Sequence, residues 1–100
     1  MSFTPSEVQQ VWDKGTIVSN NDPTIWRKDE CTAWIKRDAY GSAARQSQFG
    51  WEIDHIDGNP NNDVLSNLRP LQWENNASRQ NGPLTCPIVS QGTTNVRRFP

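Results

Sequence analysis

Five tryptophans in a chain of 100 residues set the strongest limit on the fold, because only 33% of the residues are hydrophobic. A chain of this length should form one domain and bury somewhat more than roughly 60% of its unfolded surface. A few large aromatic side chains must then supply much of the buried area. The first candidates for the core are the five indoles, Trp12, Trp26, Trp34, Trp51 and Trp73.

Charge and hydropathy narrow the classes of partner. The formal net charge is −1, which argues against a long-range positive field that would attract nucleic acid. Any nucleic-acid contact must therefore come from a local basic patch. No apolar run is long enough to span a bilayer, and the first residues lack the basic and then apolar pattern of a secretory signal. We expect a soluble, cytoplasmic protein without membrane contact.

The two cysteines, Cys31 and Cys86, lie far apart and form no C-x-x-C pair. The sequence thus carries no zinc-knuckle signal. A disulfide between them is geometrically open, but an intracellular setting favours two buried thiols.

The first half of the chain contains signals for a helix and a hairpin. A capping box at residues 4–7 starts a short helix, which should run to about Lys14 and end at Gly15. Two short segments, at 26–28 and 32–37, can pair as an extra β-hairpin, although the turn between them lacks the usual Asn-Gly signal.

The second half has the stronger pattern. Apolar and polar residues alternate at 51–56, which predicts a strand, and turn-forming residues at 57–63 predict a loop after it. A helix should follow at about 72–80, where an Asn-Gly-Pro sequence then stops it. The stretch at 42–50 is predicted to be a loop, and 91–100 a flexible tail. Together these elements indicate a small α+β domain.

The chain contains one histidine, His55, and Asp54 directly precedes it. Asn67 follows His55 by twelve positions, and Asn76 follows nine positions later. Carboxylate and amide oxygens are hard ligands of the kind that bind Mg²⁺, and a neighbouring imidazole can act as a base. Taken singly, each of these side chains is more often a turn former or a surface group. The four together point to metal-assisted hydrolysis.

Residues 50–82 resemble the HNH endonucleases, whose catalytic unit is a strand, a loop, a second strand and a helix around one divalent cation. Asp54, His55, Asn67 and Asn76 fill the positions of the family pattern in order and spacing. The resemblance implies a single HNH nuclease domain over the whole chain. Its ββα-metal core would be accompanied by the N-terminal helix and the extra hairpin.

The resemblance also implies a role for each residue of the pattern. Asp54 and Asn76 would ligate one Mg²⁺ or Mn²⁺ ion, and His55 would take the proton from the attacking water. Asn67 would hold the loop and His55 in register without touching the metal. The implied activity is hydrolysis of DNA, with a 3′ oxygen as the leaving group. RNA as a substrate, nicking against double-strand cleavage, and the oligomeric state stay open.

The chain departs from many family members at the helix. In those proteins, cysteines occupy the positions held here by Gln72 and Asn75 and bind a structural zinc with an upstream pair. No structural zinc is therefore expected here, and packing must hold the helix instead. Within the helix, Trp73 and Ala77 share the side that is expected to be buried. The metal ligand Asn76 and the positively charged Arg79 are expected together on another side.

Three arginines are the predicted nucleic-acid contacts: Arg79 first, one helical turn from Asn76, and then Arg69 and Arg45. Each could instead be a solvated surface charge. Two other functions stay open. One is an HNH-like module that binds nucleic acid or protein without cleaving, which the missing zinc knuckle and the slightly acidic balance favour. The other is a toxin nuclease domain.

Overall fold

A computed structural model describes residues 3–98, without the side chains of residues 42 and 43. Over these residues the chain forms an α+β domain with two α-helices and three two-stranded antiparallel sheets. Two short 3-10 helices, Gly41–Gln46 and Leu65–Asn67, precede the third and fourth strands. The first of them overlaps the segment 42–50, which the sequence predicts to be a loop. No helix in the described range is long and apolar enough to cross a membrane. In chain order the elements are α1 Pro5–Trp12, β1 Trp26–Lys28, β2 Trp34–Lys36, β3 Trp51–His55, β4 Leu68–Gln72, α2 Trp73–Arg79, β5 Ile88–Gln91 and β6 Thr94–Arg97.

Helix α1 begins at the predicted capping box. Thr4 Oγ1 accepts the N–H of Glu7 at 3.1 Å, and Glu7 Oε1 accepts the N–H of Thr4 at 2.9 Å. Two amide donors at the start of the helix are thereby bonded. The helix ends at Trp12, two residues before the predicted end, because Gly15 donates to the Trp12 carbonyl only three residues back and the last turn tightens.

Strands β1 and β2 pair as the predicted hairpin, with Trp26 opposite Lys36. The turn between them is built by Asp29, whose Oδ1 accepts the N–H groups of Cys31 at 2.9 Å and Ala33 at 2.8 Å. An aspartate that bonds the backbone just ahead of it can form a turn by itself. The Asp29 side chain therefore stabilises this turn without an Asn-Gly sequence.

Strands β3 and β4 form an antiparallel pair, with Trp51 opposite Gln72 and His55 opposite Leu68. Helix α2 follows β4 without a linker, and each of its ends lies one residue inside the predicted range. Gln72 is the N-cap, because its side-chain oxygen accepts the N–H groups of the second and third helical residues. Gln80, in the left-handed conformation with φ of 46°, ends the helix.

The core forms around two fully buried indoles, Trp12 of α1 and Trp51 of β3, whose ring centroids are 5.3 Å apart. Trp34 is also buried, whereas Trp26 and Trp73 are only partly buried. Each of the three buried indoles donates its N–H to a backbone carbonyl. Large apolar rings can therefore fill the core without leaving their polar atoms unbonded.

The predicted flexible tail is a hairpin instead, because β5 and β6 pair over residues 88–97; positions 99 and 100 lie outside the described residues. Asn95 anchors this hairpin. Its side chain accepts the N–H of Trp34 at 2.7 Å and donates to the Trp34 carbonyl at 2.9 Å. Composition could not reveal the anchor, since the two residues are 61 positions apart.

The two cysteines form a disulfide, which corrects the expectation of two buried thiols. Cys31, in the β1–β2 turn, is bonded to Cys86, two residues before β5. The bond joins positions 55 residues apart and ties the C-terminal hairpin to the β1–β2 turn. The sequence could not show this pairing, because it depends on where the chain returns after α2.

Replacing both cysteines, in a Cys31→Ser/Cys86→Ser variant, should lower the free energy of unfolding by about 2–4 kcal/mol, because the cross-link restricts the unfolded chain. Urea denaturation followed by tryptophan fluorescence measures the loss. Reductant should shift the wild-type midpoint by a similar amount and leave the variant unchanged. The disulfide would be contradicted if reductant left the urea midpoint of the wild type unchanged and if both thiols reacted with a maleimide dye.

Candidate active site

Three of the four motif residues, Asp54, His55 and Asn76, line one recess of about 200 Å³ at the end of β3. A regular strand sends neighbouring side chains to opposite faces. His55, however, is the last residue of β3, and the chain turns directly after it. The adjacent Asp54 and His55 can therefore both border the recess. The other lining residues are Ile53, Gly58, Pro60 and Asn81.

Asn67 lies outside the recess and closes the loop that borders it. Its amide donates to Asp57 Oδ1 at 3.0 Å and to the Asn62 carbonyl at 2.9 Å, and its side-chain oxygen accepts the N–H of Asp57 at 3.0 Å. Its backbone carbonyl accepts the N–H of Ile56 at 2.8 Å. The hydrogen bond from Asn62, with further hydrogen bonds from the loop, lowers the pKa of the Asp57 carboxyl. The loop is thus joined to the end of β3 by a charged acceptor.

His55 is held from two sides. Its Nε2 lies 2.7 Å from Oδ1 of Asp63, and its ring centroid lies 6.0 Å from that of Phe3. A carboxylate accepts hydrogen bonds and does not donate them, so this contact requires a proton on Nε2. Nδ1 of the neutral ring then keeps a lone pair that can take up a proton. Asp63 is not part of the sequence motif, and its position just across the loop is the signal that could have identified it.

Asp54 is buried and paired with two arginines. Its Oδ2 accepts from Nε of Arg69 and from Nη1 of Arg79, both at 2.7 Å, and its Oδ1 accepts from Nη1 of Arg79 at 2.9 Å. A carboxylate that is only 6% exposed needs such partners, because an unpaired buried charge is costly. The two guanidinium groups therefore occupy the Asp54 oxygens that a metal cation would need as ligands.

Arg79 is a buried residue rather than the surface phosphate contact that the helix pattern predicts. Its side chain is 5% exposed, and besides Asp54 it donates to three backbone carbonyls. The buried residues of α2 are Asn75 and Arg79, whereas Ala77 is exposed and Trp73 is only partly buried. The expected orientation of the helix is therefore wrong. Buried carboxylates below α2 need donors, and the polar side of the helix supplies them.

The other two predicted nucleic-acid contacts are also paired within the protein. Arg69 is 12% exposed and bonds Asp54 and Glu30. Arg45 is 56% exposed, and its Nε and Nη2 donate to the two carboxylate oxygens of Glu52 at 3.1 and 3.3 Å. Of the three arginines, only Arg45 presents its charge largely to solvent.

Asn76 is oriented by a residue that the motif does not include. Its Nδ2 donates to Oε1 of Glu52 at 3.0 Å. Glu52 precedes Asp54 by two positions on β3, and the alternation of a strand places both on the side that faces α2. That alternation is the sequence signal that could have identified Glu52.

Gln72 and Asn75, which stand where the resemblance puts zinc-binding cysteines, are joined by a buried carboxylate. Asp29 Oδ2 accepts the N–H of Gln72 at 2.9 Å and the side-chain amide of Asn75 at 3.1 Å. Asn75 also bonds the N–H and the carbonyl of Ile88, at the start of β5. Burial raises the pKa of Asp29, and these donated hydrogen bonds act against that rise. Helix α2 is therefore held in place by these hydrogen bonds as well as by packing.

Comparisons with protein-family models, with curated proteins and with solved structures find no match to this chain.

Arg79→Ala should lower the free energy of unfolding by roughly 3–5 kcal/mol, because it leaves the buried Asp54 carboxylate without its main partner. Arg45→Ala is the matched control. It removes the same groups from an exposed ion pair and should cost less than about 1 kcal/mol. Urea denaturation of both variants makes the comparison. Similar small losses of stability for the two variants would show that Arg79 is not a buried partner of Asp54.

Proposed function

We propose that this protein is a divalent-metal-dependent endonuclease of the HNH type that hydrolyses phosphodiester bonds in DNA. The observation that carries the proposal is the meeting of Asp54, His55 and Asn76 in one small polar recess. The order of β3, the loop, β4 and α2 is the order that the family pattern implies. Asn67 supports the proposal because it closes the loop next to the proposed base.

The donors of the recess fit a hard cation. The carboxylate of Asp54 and the amide oxygen of Asn76 are ligands that suit Mg²⁺ or Mn²⁺. When bound, the ion would neutralise charge on the phosphate and on the leaving 3′ oxygen. No cluster of three or more His, Cys, Asp or Glu side chains that could hold a metal lies within residues 3–98. Because Mg²⁺ is commonly held by one or two carboxylates together with substrate phosphates, we expect weak ion binding without DNA and tighter binding with it.

His55 is the proposed general base. With Nε2 donating to Asp63, Nδ1 takes a proton from the water that attacks phosphorus. The new bond from the water oxygen to phosphorus forms as the bond to the 3′ oxygen breaks. Asp63 acts as a positioning residue, because it selects the tautomer and stabilises the imidazolium that the proton transfer creates.

Arg45 is the proposed phosphate contact, because it is the most exposed of the three candidate arginines. Phosphate contacts of this kind position a duplex without reading its sequence. With a formal net charge of −1, the protein should bind DNA weakly through few such contacts.

A second candidate function is binding of nucleic acid or protein without cleavage. The observation that favours it is the pairing of Asp54 with Arg69 and Arg79, since both guanidinium groups compete with a cation for the carboxylate oxygens. Cleavage and its dependence on metal separate the two functions directly.

The wild type should relax supercoiled plasmid in Mn²⁺ or Mg²⁺, stop when a chelator is added, and resume when the ion is restored. His55→Ala should cut at least about 100-fold more slowly, because it removes the general base. Thermal denaturation should show that the variant is folded, and Gln91→Ala, at an exposed position of β5, should cut at the wild-type rate. RNA is offered in parallel as a second substrate. A wild type that binds plasmid without nicking it would establish the binding module instead.

Asp63→Ala should release the His55 tautomer and slow cleavage by roughly 10- to 100-fold with DNA affinity unchanged, as expected for a partner that orients a functional side chain. Nitrogen-15 NMR reads the tautomer without ambiguity, because the chain has one histidine. The wild type should carry the proton on Nε2. Asp63→Asn keeps an acceptor oxygen and should recover part of the rate, and Asp38→Ala, at an exposed carboxylate, serves as control. An unchanged tautomer in Asp63→Ala would remove this role.

A further inference from the structure

Glu52 is a charged residue beside the recess to which the proposed mechanism gives no role. It lies on β3, with its side chain 23% exposed, and its Oε1 accepts the side-chain N–H of Asn76 at 3.0 Å. Within residues 3–98, this is the only hydrogen bond that the Asn76 side chain makes. The contact therefore controls which end of the Asn76 amide faces away from Glu52.

An amide has two chemically different ends, and only one of them can bind a cation. The NH₂ group of asparagine donates and the oxygen accepts. A carboxylate cannot donate, so the orientation that turns Oδ1 of Asn76 toward Glu52 would place two acceptors together. The observed orientation leaves Oδ1 as the amide atom that can bind a metal ion, and hard cations bind oxygen.

Glu52 is itself held in place. Both of its carboxylate oxygens accept from Arg45, whose guanidinium lies 5.5 Å from the centre of the Trp73 ring. A two-point arginine contact fixes the direction of a carboxylate as well as its position. Since Arg45 is 56% exposed, the pair should contribute little to stability. The fold can therefore lose this contact without unfolding.

We propose that Glu52 is a positioning residue for the cation site: it holds the Asn76 amide with Oδ1 toward the recess. This inference rests on the proposed nuclease function. It differs from a direct contribution of charge by Glu52, because a neutral side chain with an acceptor oxygen in the same place should position Asn76 as well as the carboxylate does.

The experiment is a titration of Mn²⁺, followed by electron paramagnetic resonance, with and without a short DNA duplex. Glu52→Ala should weaken Mn²⁺ binding by roughly 10- to 100-fold, the usual effect of losing a partner of a metal ligand. Glu52→Gln, which keeps an acceptor oxygen for the Asn76 amide, should bind within about threefold of the wild type. Cleavage by Glu52→Ala should recover at saturating Mn²⁺.

Glu74→Ala is the matched control. Glu74 is 26% exposed and pairs with Arg97, which is 53% exposed, so the two ion pairs are similarly exposed. Within residues 3–98, the Glu74 carboxylate accepts from Arg97 and Gln72 and makes no hydrogen bond to Asn76. It should leave Mn²⁺ affinity and cleavage unchanged.

Three results would overturn the inference. If Glu52→Gln binds Mn²⁺ as weakly as Glu52→Ala, the charge of Glu52 matters and the orientation of Asn76 does not. If Glu52→Ala binds and cuts as the wild type does, Glu52 has no role while the proposed function stands. If the wild type binds no Mn²⁺ even with DNA, the inference and the proposed metal-dependent function fail together.

Discussion

The buried carboxylate of Asp29 joins the β1–β2 turn to helix α2 through four hydrogen bonds. Four N–H groups share it: two in the β1–β2 turn, one at the start of α2 and one from the side chain of Asn75. Because a buried charge without donors is costly, these segments must keep their relative positions. Asn75 extends the same network to β5, and the neighbouring disulfide joins the β1–β2 turn to the approach of β5 covalently. A single acceptor thereby positions the helix that carries the candidate site.

The position of α2 decides what the recess contains. With Asn75 and Arg79 turned inward, Arg79 reaches Asp54, and Asn76 comes to lie against Glu52. Hydrogen bonds are directional, so they set the rotation of this short helix more closely than apolar contacts could. The charged groups around the recess are paired with one another. Under the proposed function, an incoming phosphate or cation would have to exchange partners with these groups, which would lower the affinity for either ligand alone and couple their binding.

Predictions from sequence succeeded where the hydrogen bonds of an element close within a few residues. The capping box of α1, the β1–β2 hairpin and the ends of α2 belong to this group, because their partners are near neighbours in the chain. Predictions failed where the partner is distant. The C-terminal hairpin depends on Asn95 and Trp34, and the disulfide depends on Cys31 and Cys86. Composition and spacing carry no information on which remote segments meet.

The α+β class and the grouping of Asp54, His55 and Asn67 around one loop follow from the sequence alone, because a strand, a loop and a second strand allow few distances between such residues. The direction in which each side chain of α2 points depends instead on contacts with segments that are distant in the sequence. A helix with polar residues on several sides has no single apolar stripe that would select its buried face. The buried carboxylates of Asp29 and Asp54 made that selection, since they require donors, and they drew Arg79 inward from the surface where its sequence pattern had placed it.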